Sequence, residues 1–135
     1  MPEVVLVCGP PCAGKSTWAN TQAGPDDRVY DSDVMGRDAF DSAVEELKSH
    51  RPAGTTFVIR CLPGEGARSG YALAIGADRT VFLRPSDAVL LQRAASRRDG
   101  MSVQAVRAWL AADVLPSAPP GRNPDVPMPK WLALT

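Results

Sequence analysis

Gly9-Pro10-Pro11-Cys12-Ala13-Gly14-Lys15-Ser16-Thr17 is the stretch on which the reading of this chain turns. It fits the pattern G-x-x-x-x-G-K-[ST], in which a glycine-rich turn wraps the phosphates of a nucleoside triphosphate. Its flanks suit it. Val4 to Cys8 is a continuous apolar run, as expected of a strand buried on both faces. Lys15 to Gln22 lacks glycine and proline and can open a helix. Strand, glycine turn and helix N-terminus are the three parts that the pattern requires.

Each position has a chemical expectation. Gly9 and Gly14 permit backbone angles, and a close approach to phosphate, that a Cβ would block. The amides from about Ala13 to Ser16, with Cys12 just before them, converge on an anion at the positive end of the helix dipole. Pro10 and Pro11 carry no N–H and stiffen the start of the loop. Lys15 reaches the β- and γ-phosphates, Ser16 holds Mg²⁺, and Thr17 bonds the α-phosphate. The competing reading is a glycine-rich turn that holds no ligand.

The 135 residues are most simply one domain. Fifteen basic and fifteen acidic side chains cancel, which argues against a general polyanion binder and leaves room for a local basic patch. Cys8, Cys12 and Cys61 have neither zinc nor C-x-x-C spacing and read as reduced thiols of a cytoplasmic protein. The first apolar run is too short for a signal peptide, and no stretch is long enough to span a membrane.

After the first helix, Gly24-Pro25-Asp26-Asp27 reads as a turn and Arg28 to Asp31 as a short strand. Ser32 or Asp33 can cap a helix running to about His50, with Phe40, Val44 and Leu47 on its buried face. Thr55 to Cys61 is a β-branched third strand, followed by a helix from about Glu65 to Ile75. Arg79 to Leu83 is a fourth strand. A helix capped at Ser86 carries Ala88, Leu91 and Ala95 inward and ends near Arg98. A last helix, capped by Ser102, has Val103, Val106 and Leu110 as its apolar stripe. Strands alternating with helices predict an α/β fold: a parallel sheet of about four to five strands sandwiched by helices, here of the P-loop NTPase class. The boundary is set at residue 112. From residue 113 to 135 a proline-rich tail follows, with six prolines between Pro116 and Pro129, expected to run extended and to pin Trp131 in a surface groove. A disordered or partner-binding tail is the alternative.

Ligands of open parallel sheets sit at the carboxyl ends of the strands. The second strand ends in Asp31-Ser32-Asp33, the third in Arg60 and the fourth in Arg84. Asp33 is the candidate base for an acceptor hydroxyl; Asp31 either holds Mg²⁺ through water or shares that role. The plain alternative for both is helix capping. Arg93 and Arg97 share a helix face with Arg98 beside them, and suit charge building on a transferring phosphoryl group. A solvated helix end is the other reading. Arg37 and Arg68 are weaker candidates for an acceptor phosphate or sugar. Arg60 stands where many P-loop ATPases place an acid; a cation there cannot hold Mg²⁺ but can bind substrate, which favours transfer over mechanical hydrolysis.

On these residues, together with Val58-Ile59-Arg60-Cys61-Leu62-Pro63, the chain from about Glu3 to Ala112 resembles the small P-loop kinases. Its closest likeness is to the polynucleotide 5′-kinase-like group, often labelled AAA-family ATPase in actinobacterial and phage genomes. The resemblance implies ATP and Mg²⁺ as co-substrates, a phosphate site at Lys15 and Ser16, Asp33 as base, and a lid carrying Arg93 and Arg97. The chain departs from that pattern in lacking a clear fifth strand and in its short lid. The expected function is transfer of the γ-phosphoryl group of ATP to a hydroxyl on nucleic acid or a nucleotide, either a 5′-hydroxyl end or a hydroxymethylated pyrimidine in DNA. An ATPase or regulator without an acceptor and a small-metabolite kinase are the alternatives. The expected location is the cytoplasm, that of the host if the gene is a phage's.

Overall fold

The computed structural model describes residues 2–113. The tail expected from 113 to 135, with its prolines and Trp131, otherwise lies outside the described residues; Asp113 itself is the last residue of a helix.

The order of elements is β1 (Glu3–Cys8), α1 (Lys15–Gln22), β2 (Arg28–Asp31), α2 (Ser32–Met35), α3 (Arg37–Leu47), β3 (Thr55–Arg60), α4 (Glu65–Ile75), β4 (Arg79–Phe82), α5 (Asp87–Ser96) and α6 (Met101–Asp113). Four strands form one sheet in the order β2-β3-β1-β4, and every pairing is parallel. The apolar run of β1 is buried because this strand has neighbours on both sides and helices on both faces. Val4, Leu6 and Cys8 face Phe40, Val44 and Leu47 of α3 and Tyr71 and Ile75 of α4. Val5 and Val7 face Ala19 of α1, with Phe57 and Ile59 of β3 beside them. The period-2 alternation of a strand thus feeds two separate cores.

Four elements differ from the sequence expectation, each for a local reason. The helix expected from Ser32 to His50 is two helices. Gly36 has φ 86° and ψ 151°, which no helical residue adopts; it ends α2 by donating to the Ser32 carbonyl and starts α3 by accepting from Phe40 N–H. The cap of α2 is Asp31, whose carboxylate accepts from Asp33 N–H at 3.0 Å, in place of Ser32 or Asp33. Helix α5 is turned so that Leu90 and Ala94 are buried, while Ala88 and Ala95 are exposed and Leu91 is half-buried. In α6 the buried residues are Ser102, Val106 and Trp109, with Val103 and Leu110 flanking them. Asp99, not Ser102, opens α6: its carboxylate accepts from the amides of Met101 and Ser102 and from the Ser102 hydroxyl.

The far end of α6 is fastened to the sheet. Trp109 Nε1 donates to the Cys61 carbonyl at 2.7 Å. Asp113 Oδ1 accepts from Gly64 N–H at 2.7 Å and from Arg68 Nη1 at 2.8 Å, and the Arg68 guanidinium lies 4.0 Å from the Phe82 ring centroid. Arg68 is therefore a structural partner of α6, not a residue turned toward an acceptor. Burial alone would raise the Asp113 carboxyl, but the hydrogen bonds from Arg68 and Gly64, with the charges of Arg68 and Arg84, hold it below its ordinary value of 3.8. A depressed carboxyl contributes stability above its unfolded pKa and loses it as pH falls through the folded value. Asp113→Asn is accordingly expected to cost about 2 kcal/mol at neutral pH. In pH-dependent urea titrations its deficit should shrink below the ordinary carboxyl value of 3.8; a deficit constant down to pH 2 would contradict the ion pair.

Candidate functional site

The loop between β1 and α1 leaves the sheet next to two other strand ends, since β3 and β4 both neighbour β1. Gly9 has φ 154°, a backbone angle that residues with a side chain rarely adopt. A Cβ there would lie 2.2 Å from the Leu83 carbonyl oxygen, at the place where Leu83 N–H donates to the Cys8 carbonyl at 2.9 Å. The glycine admits the chain after β4. Gly14 has φ 90°, in the left-handed region that favours glycine, and it starts α1 with its carbonyl accepting from Trp18 N–H. Between them, Pro10 O receives both Ala13 N–H at 3.2 Å and Lys15 Nζ at 2.7 Å. The ammonium of Lys15, only 8% exposed, is thereby held over the loop.

No side chain caps α1, so the amides of its first turn have no partner inside the helix or from a cap. Ser16, in that turn, donates its hydroxyl to Asp31 Oδ2. Asp31 is 5% exposed and its other oxygen caps α2. Asp31 thus caps a helix, as the plain alternative expected, and also reaches the loop. A hydroxyl that has given its proton to a carboxylate keeps its lone pairs for a cation. Among the described residues no group of three or more His, Cys, Asp or Glu could hold a metal ion.

Three cavities surround the loop. One of 400 Å³ is lined by Cys12, Gly14, Lys15, Ser16, Thr17, Asp33 and Arg97. A second, of 280 Å³, shares Lys15, Asp33, Ile59 and Cys61 with it and continues to Asp31, Arg37 and Arg60. A third, of 670 Å³, lies on the other side of the loop against Ala13, Gly14, Thr17, Trp18, Leu83, Arg93 and Arg97. The exposed Asp33 and the buried Lys15 thus meet in two adjoining cavities, and Arg97 borders the first and the third.

The arginines divide by their partners. Arg37 pairs with Asp41 at 3.2 Å. Arg60 is 4.8 Å from the Tyr71 ring centroid and 5.9 Å from that of Phe40. Burial raises the Tyr71 hydroxyl above its ordinary value, against the lowering charge and hydrogen bond of Arg60. Arg84 pairs with Asp87 at 2.7 Å and lines none of the three cavities. Arg93 Nη1 donates to the Cys12 carbonyl at 3.1 Å. Met101, Ser102 and Ala105 of α6 also border the 400 Å³ cavity, a contribution that no motif signals, because it depends on how α6 is laid over the loop. Cys8, completely buried, has its thiol pushed up to about 11 by burial, which keeps it protonated and unreactive.

The chain matches no protein-family model and no curated protein.

Gly9→Ala is expected to lower stability by about 3 kcal/mol through overpacking against Leu83, read as a shifted urea midpoint. A Gly9→Ala protein as stable as the parent would show that the Leu83 carbonyl can move away.

Proposed function

We propose that the chain is a kinase of the P-loop class that moves the γ-phosphoryl group of ATP to a hydroxyl on nucleic acid or a nucleotide, with Mg²⁺ as the accompanying cation. The observation that carries this reading is the meeting of Lys15, the Ser16–Asp31 pair and Asp33 around adjoining cavities at the carboxyl ends of β1 and β2. A carboxylate facing a phosphate site has no use in holding phosphate, which it repels. It does have a use in drawing a proton from an incoming hydroxyl.

In this reading the uncapped amides of α1 and the Lys15 ammonium bind the β- and γ-phosphates. Ser16, oriented by Asp31, offers an oxygen to Mg²⁺, which when bound neutralises charge on the phosphate oxygens. Asp33 orients the acceptor hydroxyl from the 280 Å³ side and takes its proton as the oxygen–phosphorus bond forms and the bond from the γ-phosphorus to the β–γ bridging oxygen breaks, releasing ADP. Arg97, bordering the first cavity, faces the charge that builds on the transferring group. Arg37 and Arg60 line the acceptor side and suit an acceptor that carries phosphate. The 670 Å³ cleft beside Trp18 has room for the nucleotide base. The acceptor-side cavity, at 280 Å³, falls just below the range of roughly 300–1,000 Å³ usual for ligand pockets. That size favours, as a second reading, a kinase acting on a small alcohol.

The test is a transfer assay with γ-labelled ATP, Mg²⁺ and a panel of 5′-hydroxyl oligonucleotides, hydroxymethyluracil DNA, nucleosides and small alcohols. Label is expected on a nucleic acid or nucleotide. Label on small alcohols alone would select the second reading, and steady phosphate release with no labelled acceptor would overturn both. Lys15→Ala should weaken ATP use about 100-fold or more. Asp33→Asn should lower the transfer rate about 10²–10⁴-fold while ATP still binds; full turnover by that variant would remove Asp33 from the role of base.

A further inference from the structure

We infer that Arg93 is a positioning residue for the glycine loop: its guanidinium holds the Cys12–Ala13 peptide in the shape that the loop needs to receive phosphate. The inference rests on the nucleotide-binding reading of the loop and specifies how its geometry is maintained.

Cys12 has φ 68°, in the region that residues with a Cβ avoid. It is the third residue of the turn that Ala13 N–H closes on Pro10 O, a place where a positive φ suits glycine and strains a residue with a side chain. Across the trans, planar peptide that follows, the carbonyl and the N–H point in opposite directions, and each is held. Arg93 Nη1 binds the Cys12 carbonyl from α5 at 3.1 Å, and Ala13 N–H binds Pro10 O at 3.2 Å. Pro10 O is also the acceptor for Lys15 Nζ at 2.7 Å. One chain of hydrogen bonds therefore runs from Arg93 through the strained peptide to the ammonium expected to meet the phosphates.

The side chains tell the same story. Cys12 and Ala13 belong to an apolar cluster with Leu90 and Ala94 of α5 and Val106 of α6, and the last three are at most 1% exposed. The middle of the loop is thus built against α5 and α6 and not only between β1 and α1. Arg93 is the polar member of that contact. Its engagement with the loop backbone separates it from Arg97, four residues on, which lines the cavity with Lys15, Ser16 and Asp33. Two arginines on one helix face then have different work: one shapes the loop, and the other faces the transferring group.

Two measurements on the full chain test this. In the absence of nucleotide, hydrogen exchange at the amides of residues 12–15 should be about tenfold faster in Arg93→Ala than in the parent, because Cys12 relaxes out of its strained conformation. Exchange in β3 should be unchanged. Equal exchange at 12–15, or faster exchange spread equally over β3, would overturn the inference. In binding assays, Arg93→Ala should weaken MgATP and MgADP alike by about tenfold, with Arg93→Lys recovering part of the loss. Loss of turnover with unchanged MgADP affinity would instead put Arg93 at the transferring phosphate and overturn the positioning role. Should the parent bind neither nucleotide, the nucleotide reading fails, and the exchange measurement still decides whether Arg93 shapes the loop.

Discussion

Strand β1 is hydrogen bonded on both sides, to β3 and to β4, and this central position is the constraint on which the molecule depends. A loop that leaves the middle of a parallel sheet has other strand ends beside it. Here β3 delivers Arg60 and Cys61 on one side, and the chain after β4 closes over Gly9 through Leu83 on the other. Beyond β3, the end of β2 brings Asp31 to Ser16. An edge placement of β1 would have lost one of these neighbours.

The electrostatics follow the same plan. Away from the loop, Arg51 pairs with Asp78, Arg68 with Asp113, Arg79 with Glu3 and Arg84 with Asp87. Asp27 serves the backbone, its carboxyl lowered by the amides of Thr55 and Gly24. At the loop, Lys15 leans on a backbone carbonyl, and Arg60 is packed over aromatic rings. Cations supported by carbonyls and ring faces keep most of their charge for a further anion, whereas those bound to carboxylates do not. In the proposed reading, that contrast favours the strand ends over the outer helix faces as the place for a polyphosphate.

Much of the fold was legible in the sequence because its signals are local. The apolar run of β1, the β-branched run of β3, and the glycines and prolines between elements placed all four strands and most helix bounds within a few residues. Misreadings arose where a local rule allowed two answers. Gly36 sits inside a good helical pattern, yet its backbone leaves the helical region there, and α3 beyond it packs in one core with Leu6 and Val58. On α5, Ala88-Leu91-Ala95 and Leu90-Ala94 are both helical spacings. The second faces inward because Cys12 and Ala13 lie beneath it. Asp99 and Ser102 are both good caps, and the geometry of the turn at Gly100 selects Asp99.

The sequence by itself determined that strands alternate with helices and that a glycine turn ending in Lys15-Ser16 follows the first strand, since periodicity and backbone freedom are properties of neighbouring residues. It also named the polar residues at the strand ends. Only the tertiary structure decided that β1 is central, that Asp31 meets Ser16, that Arg68 belongs to Asp113 and that Arg93 reaches Cys12. Each of these joins residues far apart in the chain, and which partner is met depends on strand order and helix rotation, quantities set by the packing of whole faces rather than by any single segment.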